Sequence, residues 1–239
     1  MKPLLVLLTT LTLCGSVYSQ ARLQFFVKAG YNFFTMKDMK DLQNEFLNDM
    51  KLTGINGAVT ESYPAQPGFQ FGFLLPIKRD PEDDILLGAF MDFASTGGRV
   101  HYSDYSGEIK YDQIATSFSL GALLQINMTR SDPFIMDLCI SPRVIFSTLN
   151  NEFLTRIGDT SQKETFRFTA TSIAIEPGLT PAVKFGALYV GLPVTYLLSF
   201  RSFLLYEKYS EAYLVNKNND RLTIDWSGFR AALMLKYSL

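Results

Sequence analysis

The chain has 239 residues, of which 47% are hydrophobic and 19% are charged, and its formal net charge is −1. This length suits one large all-β domain, and the near-neutral charge without a basic run argues against a nucleic-acid partner. The sequence contains no glycine-rich phosphate loop and no metal-ligand spacing, so it predicts no cofactor and no metal. It is rich in aromatic side chains, with 20 Phe and 12 Tyr.

The first segment, residues 1–19, is predicted to be a secretory signal peptide. Lys2 precedes an apolar run at 4–13, and smaller residues lead to the exit. The mature domain is therefore predicted to span 20–239.

Two cysteines bear on this prediction. Cys14 lies inside the signal, and its acylation, as in a lipoprotein, is an alternative to its removal, although Leu13 is larger than the residue that usually precedes such a cysteine. With Cys14 removed, Cys139 is the single mature cysteine, which excludes an intramolecular disulfide.

Both ends of the predicted domain show strict alternation of apolar and other residues. From Arg22 to Phe33 every second residue is apolar, and the residues between them are polar or Gly except for Phe26. From Phe229 to Leu239 every second residue is again apolar. A barrel in the bacterial outer membrane needs such an ending, because its last strand pairs with its first and shows lipid an apolar side.

Residues 35–67 break the alternation. Within them Met39, Leu42, Phe46 and Met50 recur at spacings of three and four among charged and amide residues. This pattern predicts an amphipathic helix over Asp38–Leu52, and the remainder is predicted to be loop.

Six further segments alternate in the same way and complete a set of eight strands. Their predicted bounds are Phe69–Leu75, Leu86–Ser95, Ile114–Asn127, Phe134–Phe146, Phe168–Thr180 and Leu188–Phe200. The connections after the even-numbered strands are about five to seven residues long, whereas those after the odd-numbered strands are long loops at 35–67, 96–110, 147–165 and 201–221. Short turns on one side and long loops on the other are typical of an outer-membrane barrel with both termini in the periplasm.

A soluble barrel of the lipocalin kind also alternates, but its outer face is dense in charged residues. Here the less apolar positions are mostly Gly, Ala, Ser and Thr, which suit a crowded lumen. No run of 18 apolar residues follows the signal, so no transmembrane helix is expected. The sequence therefore predicts an all-β fold, an eight-stranded antiparallel transmembrane up-and-down β-barrel with a short amphipathic helix in the first extracellular loop. We expect it to contact outer-membrane lipid and lipopolysaccharide.

Several charged residues fall on the predicted inner face. Eight strands enclose a space that side chains can fill, and an unpaired charge there is expensive, so these acids and bases are expected to pair. Arg22 and Lys236 are placed nearer the periplasmic rim. The first interpretation is a structural salt-bridge plug, and a gated or proton-conducting path is the alternative. The predicted network is Lys28, Asp92, Asp137, Arg143, Glu176 and Arg230.

The long loops supply the predicted surface for a protein partner. The helix would cap the barrel mouth, lie at the membrane surface or form part of a docking face, and the last loop exposes apolar residues if it stands in solvent. The predicted contact residues are Met39, Leu42, Phe46, Met50, Phe203, Leu204, Leu205 and Tyr206.

His101, the only histidine, lies in a predicted polar loop beside Ser103 and Asp104. An outer-membrane enzyme of acyltransferase or protease type centred on this loop is an alternative function, but adjacency in sequence does not supply the geometry of a catalytic triad. A purely structural barrel is a third possibility.

The segments 25–32 (FFVKAGYN) and 68–72 (GFQFG) resemble the PorT-like family of small outer-membrane β-barrel proteins of Bacteroidota. The resemblance implies an eight-stranded barrel, and some members of that family are tied to protein secretion and gliding. It carries no catalytic residues, and the third strand departs from the family pattern at 88–92. The predicted function is a non-enzymatic binding or assembly component of an outer-membrane complex.

Overall fold

The computed structural model describes residues 23–79, 84–131, 133–209 and 211–239. The predicted signal peptide with Cys14, the predicted rim residue Arg22 and residues 80–83, which belong to the turn predicted after the second strand, lie outside the described residues.

The described chain is almost entirely β-structure, with one helix. The elements in chain order are β1 (Gln24–Phe34), α1 (Lys37–Leu52), β2 (Ala58–Ser62), β3 (Gln66–Arg79), β4 (Asp84–Ser103), β5 (Gly107–Ser131), β6 (Phe134–Ile157), β7 (Thr160–Phe185), β8 (Leu188–Gly191), β9 (Val194–Ser199), β10 (Ser202–Phe203), β11 (Leu205–Tyr206), β12 (Thr223–Ile224) and β13 (Gly228–Ser238).

The strands close into an antiparallel ring in the order β1, β3, β4, β5, β6, β7, β8 with β9, and β13. The last strand returns to the first in the register Phe25↔Tyr237 and Phe33↔Phe229. Strands β8 and β9 act as one strand interrupted at Leu192 and Pro193, since both pair with β7 and with β13. The predicted eight-stranded barrel, with the amphipathic helix after its first strand, is confirmed.

The outer face of the barrel carries an apolar belt. Large side chains such as Tyr31 at 59% and Phe229 at 62% exposure point away from the lumen on successive strands. Aromatic rings of β3–β6 form one row around the outside, with centroid separations of 6.3, 5.0 and 6.3 Å between Phe71, Phe93, Phe118 and Phe146 in turn. Such a belt with an aromatic border is the surface of a transmembrane barrel. No helix in the described ranges has the length and hydropathy that crossing a membrane requires.

Beyond the aromatic row, strands β4–β7 continue for about ten residues each. The predicted loops 96–110 and 147–165 are therefore wrong: both are hairpins, with turns at 104–106 and 158–159. The physical reason is a change of phase in the alternation. Below the row the apolar residues face outward to lipid, whereas above it apolar residues such as Val100 and Leu149 face inward and the outer positions are polar.

We name the two ends of the barrel by their contents. At one end lie α1 and the segment 200–227, which we together call the cap, and we call this end the cap end. The opposite end carries Gln24 and Ser238, and we call it the terminus end. The parts of β4–β7 beyond the aromatic row, together with β2, form the projecting sheet. From Phe146 to Ile157 it extends about 35 Å along the strand at ~3.3 Å per residue, or about 25 Å in height at the usual strand tilt.

Candidate functional site

Four charged side chains from four strands meet in the barrel lumen. Arg230 donates from Nη2 to Asp92 Oδ2 at 2.6 Å and from Nη1 to Glu176 Oε2 at 3.1 Å. Arg143 is paired with the same two acids, directly with Glu176 and at 3.5 Å with Asp92. All four are buried, and Thr195 donates a further hydrogen bond to Glu176. This central cluster is neutral, with two acids and two guanidinium groups.

A second charged group lies nearer the terminus end. Gln125 Nε2 donates to Asp137 Oδ2 at 2.5 Å, and Lys236 Nζ lies 3.6 Å from the same carboxylate oxygen. The Lys236 ammonium also lies 4.7 Å from the centroid of the Tyr189 ring. Lys236, which was predicted on the inner face nearer the periplasmic rim, is 2% exposed and lies in the lumen toward the terminus end.

Little open space remains at the level of the central cluster. Two cavities touch it, with volumes of about 30 and 10 Å³. A buried water needs roughly 10–15 Å³ of such space, so these cavities hold only small molecules. Among the described residues, the guanidinium and carboxylate groups therefore fill much of the lumen at this level.

The cap closes the barrel mouth with an apolar core. Trp226 lies at its centre, packs edge-on against Phe34 with ring centroids 4.8 Å apart, and donates from Nε1 to Ser147 Oγ at 2.8 Å. Asp38, at the start of α1, accepts hydrogen bonds from both the backbone N–H and the hydroxyl of Thr223, at 2.9 and 2.6 Å. The helix and the last connection are thus joined to each other and to the wall.

This arrangement corrects part of the predicted contact surface. Met39, Met50 and Leu204 are buried beneath the cap, so they are not available to a partner. The apolar face of an amphipathic helix normally packs against the rest of its own protein. Here the apolar face of α1 packs against the inner wall of the barrel. Phe46 illustrates this, with its ring 4.8 Å from that of Tyr111.

The remaining predicted contact residues lie at the margin of the cap. Leu42 and Tyr206 are partly buried against the apolar core, and Leu205 pairs with Thr169 of β7. Phe203 is 47% exposed, and the Arg221 guanidinium lies 5.8 Å from its ring centroid. The predicted contact residues therefore do not form one surface, and of the four predicted in the last loop, Phe203 is the one whose side chain is exposed.

The outer face of the projecting sheet carries cross-strand ion pairs. Arg99 Nε lies 2.5 Å from Asp112 Oδ1, and Lys110 Nζ lies 2.8 Å from Oδ2 of the same carboxylate. Partial burial opposes ionisation of Asp112, but the hydrogen bonds from the two cations outweigh it and hold its pKa below the ordinary value. Lys163 and Glu152 form a similar pair at 2.9 Å. The outer face is thus polar and locally charge-balanced.

One edge of the projecting sheet is unpaired. The opposite edge, on β4, is covered by β2. On β7, β11 pairs at Phe168 and Thr169, but among the described residues no strand pairs with 160–166 on the side away from β6. We call residues 160–166 the free edge; six of its seven side chains are exposed.

The direction of the free backbone groups follows from the neighbouring contacts. The Arg167 carbonyl accepts a hydrogen bond from Glu207 N at 3.0 Å on the side away from β6. Backbone groups in a strand alternate in direction, so Ser161, Lys163 and Thr165 also present their N–H and C=O groups to that side. The free edge therefore has unused donors and acceptors at three regularly spaced residues.

His101 lies on the outer face of β4, where its Nε2 is 3.2 Å from Glu108 Oε1. Asp104 instead accepts hydrogen bonds from Tyr102 and from Ser106, which lower its pKa to about 2. Because that carboxylate is engaged in the turn, it does not orient the histidine. Within the described part of the chain, no three His, Cys, Asp or Glu side chains are grouped to hold a metal ion.

Sequence reasoning missed the projecting sheet and its edge. The sequence feature that could have predicted the projecting sheet is a second alternation, in which the apolar residues lie on the inner face of the strand instead of the outer face. Examples are Ile109, Tyr111 and Ala115 in β5, and Leu149 and Phe153 in β6. A change of phase at Phe118 and Phe146 would have marked the border between the two regions.

No family model matches the chain, and no curated protein matches it. Among solved structures, the chain is similar to Ail, the attachment invasion locus protein of Yersinia pestis, in complex with the heparin analogue sucrose octasulfate. The identity is 12%, over 92% of this chain and 97% of that chain, with a TM-score of 0.34. A second Ail structure gives 11% identity, the same coverage and a TM-score of 0.32. The transport unit of the autotransporter AIDA-I from Escherichia coli gives 8% identity, 97% coverage of both chains and a TM-score of 0.26. Because these TM-scores are below 0.5, the barrel assignment rests on the strand register.

Proposed function

We propose that the protein is a non-enzymatic barrel of the outer membrane that binds a protein partner through the free edge of its projecting sheet. The observation that carries the proposal is a sheet that rises past the apolar belt and whose last strand has seven consecutive residues that pair with no described strand on the side away from β6. The largely filled lumen supports a role at the outer surfaces. In this proposal the cap end faces the medium, both termini are periplasmic, and the belt contacts lipid and lipopolysaccharide.

An unpaired strand edge is a template for an additional strand, and proteins commonly protect such edges. Here the charges of Lys163 and Glu164 are the only recognisable protection, since 160–166 contain no proline. A free edge of this length suits recognition by β-strand addition, in which backbone hydrogen bonds supply affinity and alternate side chains supply specificity.

The partner we propose is an extended segment of another protein rather than a second barrel. Two copies in one membrane have the same orientation, so a two-fold axis along the membrane normal would set identical residues opposite each other at equal height. Each free N–H of Thr165 would then face another N–H, and the ladder could not form. An extended segment running antiparallel to β7 meets no such obstacle.

The side chains along the edge define the segment further. On the outer face an added strand would lie beside Lys163, which favours an acidic residue there. On the inner face it would lie beside Phe166, whose ring is 6.4 Å from that of Tyr206, which favours an apolar residue at that position.

The test uses a matched pair of edge variants. Thr165→Pro removes the outward N–H but leaves the ladder to β6 intact, whereas Thr165→Val keeps the N–H and the β-branched shape. A photo-crosslinking residue at Gln162, introduced in each background, should capture a protein in cells carrying the Val variant and lose most of that product with Pro. Equal capture in both, with both barrels folded, would contradict binding at this edge.

Two finer features of the prediction remain proposals. Membership of the PorT-like family and a place in a protein-secretion machine are not required by the free edge, and the identity of the crosslinked partner tests them. A secretion component as the captured protein would support them, and a partner from outside the cell would contradict them.

A further inference from the structure

A cavity of about 30 Å³ lies in the lumen beside the central cluster. It is bounded by strands β1, β3, β7, β9 and β13, and its polar lining is formed by Lys28, Asn32, Gln70, Glu176, Thr195 and Arg230. The space is enough for about two waters, which is also room for one monatomic ion.

Among the described residues, the lumen charges do not balance around this cavity. Asp92, Asp137 and Glu176 supply three negative charges against four buried cations, which are Lys28, Arg143, Arg230 and Lys236. The central cluster is neutral, and Lys236 pairs with Asp137. Lys28 is the cation in excess: among the described residues, no carboxylate oxygen lies within 4.0 Å of its ammonium group.

The other lining groups add unused donors. Asn32 Oδ1 accepts a hydrogen bond from Arg230 Nε at 2.6 Å, which fixes the orientation of the amide and leaves buried Nδ2 without an acceptor. Gln70 is the cross-strand neighbour of Lys28 in the β1–β3 register, and its amide makes no hydrogen bond within the described structure. Three polar side chains, each more than nine-tenths buried, therefore surround one small space.

The acid that borders the cavity is already engaged. Glu176 accepts from Thr195 on Oε1 and from Arg230 and Arg143 on Oε2. It has little capacity left to neutralise Lys28. The Lys28 ammonium lies 5.3 Å from the centroid of the Phe26 ring, but this contact supplies no counter-charge, and an ammonium without one is costly to bury.

We propose that this cavity binds a small monovalent anion of chloride size, held by Lys28 Nζ, Asn32 Nδ2 and Gln70 Nε2. The anion completes the charge balance of the lumen and supplies the acceptor that the Asn32 amide lacks. This site is independent of the free edge and of any protein partner.

The test is bromide substitution in crystals of the purified barrel, read by anomalous scattering. The wild type should show one bromide peak within hydrogen-bonding distance of Lys28 Nζ. Lys28→Met, which keeps the length of the side chain and removes the charge, should lose this peak, and the surface control Lys163→Met should keep it. A wild type without the peak, or a Lys28→Met barrel that retains it, would overturn the proposal.

A solution measurement covers the case in which crystals are not obtained. Denaturant midpoints are compared in chloride and in gluconate, which is too large to enter, at equal ionic strength. The wild type should have a higher midpoint in chloride, and Lys28→Met should show no such difference. Equal wild-type midpoints in the two salts would overturn the proposal, since a bound ligand must raise stability.

Discussion

Arg143 provides the sharpest test of how the lumen is held together. Its guanidinium is buried against Asp92 and Glu176, and it lies 4.7 Å from the Phe90 ring centroid. Arg143→Met keeps much of the apolar contact and leaves two buried carboxylates sharing Arg230. Removing one partner of a buried ion pair destabilises by about 3–5 kcal/mol, so the free energy of unfolding should fall by that amount.

The second half of this test restores the balance. Adding Glu176→Gln to Arg143→Met leaves Asp92 paired with Arg230, and the amide still has an oxygen to accept from Thr195. The double variant should therefore recover much of the lost stability. Coupling of this kind between contacting residues is what a double-mutant cycle measures.

The assay is denaturant unfolding in lipid vesicles, followed by fluorescence of the single tryptophan, Trp226. Lys163→Met is the control, because its ion pair with Glu152 is exposed and should contribute only about 0–1 kcal/mol. An Arg143→Met barrel as stable as this control, or a double variant less stable than Arg143→Met alone, would refute the reasoning.

Three further predictions concern the cap and the hairpin tip. Trp226→Phe removes the hydrogen bond to Ser147 and should destabilise by about 1–3 kcal/mol; because this variant has no tryptophan, the denaturant midpoint is followed by circular dichroism in both proteins, and an unchanged midpoint would contradict the buried bond. Asp38→Ala removes the acceptor for both Thr223 groups and should speed proteolysis within the cap while the barrel stays resistant, whereas an unchanged digestion rate would show that this contact does not hold the cap. Asp104 has a depressed pKa, so the order it gives to its turn is complete above about pH 4 and is lost as the pH falls toward 2; amide exchange in the turn should show this loss in the wild type and not in Asp104→Asn.

Much of the fold follows from alternation alone. Each predicted strand lies within an observed one or nearly so, because an apolar face toward lipid is a constraint that every spanning strand must satisfy. The helix was also predictable, since Met39, Leu42, Phe46 and Met50 share one face at helical spacing. What the pattern could not show is that this face packs on the barrel's own wall.

The site was less accessible from sequence. The alternation of the last strand places Lys236 on the inner face, but its neighbours Asp137 and Tyr189 belong to other strands, and only the structure shows that they lie beside it. The hairpins that contain His101 and Glu152 were predicted to be loops. In these hairpins the apolar residues of the alternation face inward, whereas in the membrane-spanning parts of the strands they face outward. The free edge exists because the strands that pair with β7 on that side end before they reach residues 160–166. The lengths of neighbouring strands in the sheet cannot be inferred from the residues of β7 alone.

The most direct test of the account is cysteine labelling in intact cells with a membrane-impermeant maleimide. Gln162→Cys places a thiol on the free edge, and Ala187→Cys places one in the β7–β8 turn at the terminus end, while Cys139 is buried. We expect Gln162→Cys to be labelled in intact cells and Ala187→Cys to be labelled only after the outer membrane is permeabilised. Labelling of Ala187→Cys alone in intact cells would place the projecting sheet in the periplasm and contradict the proposed function.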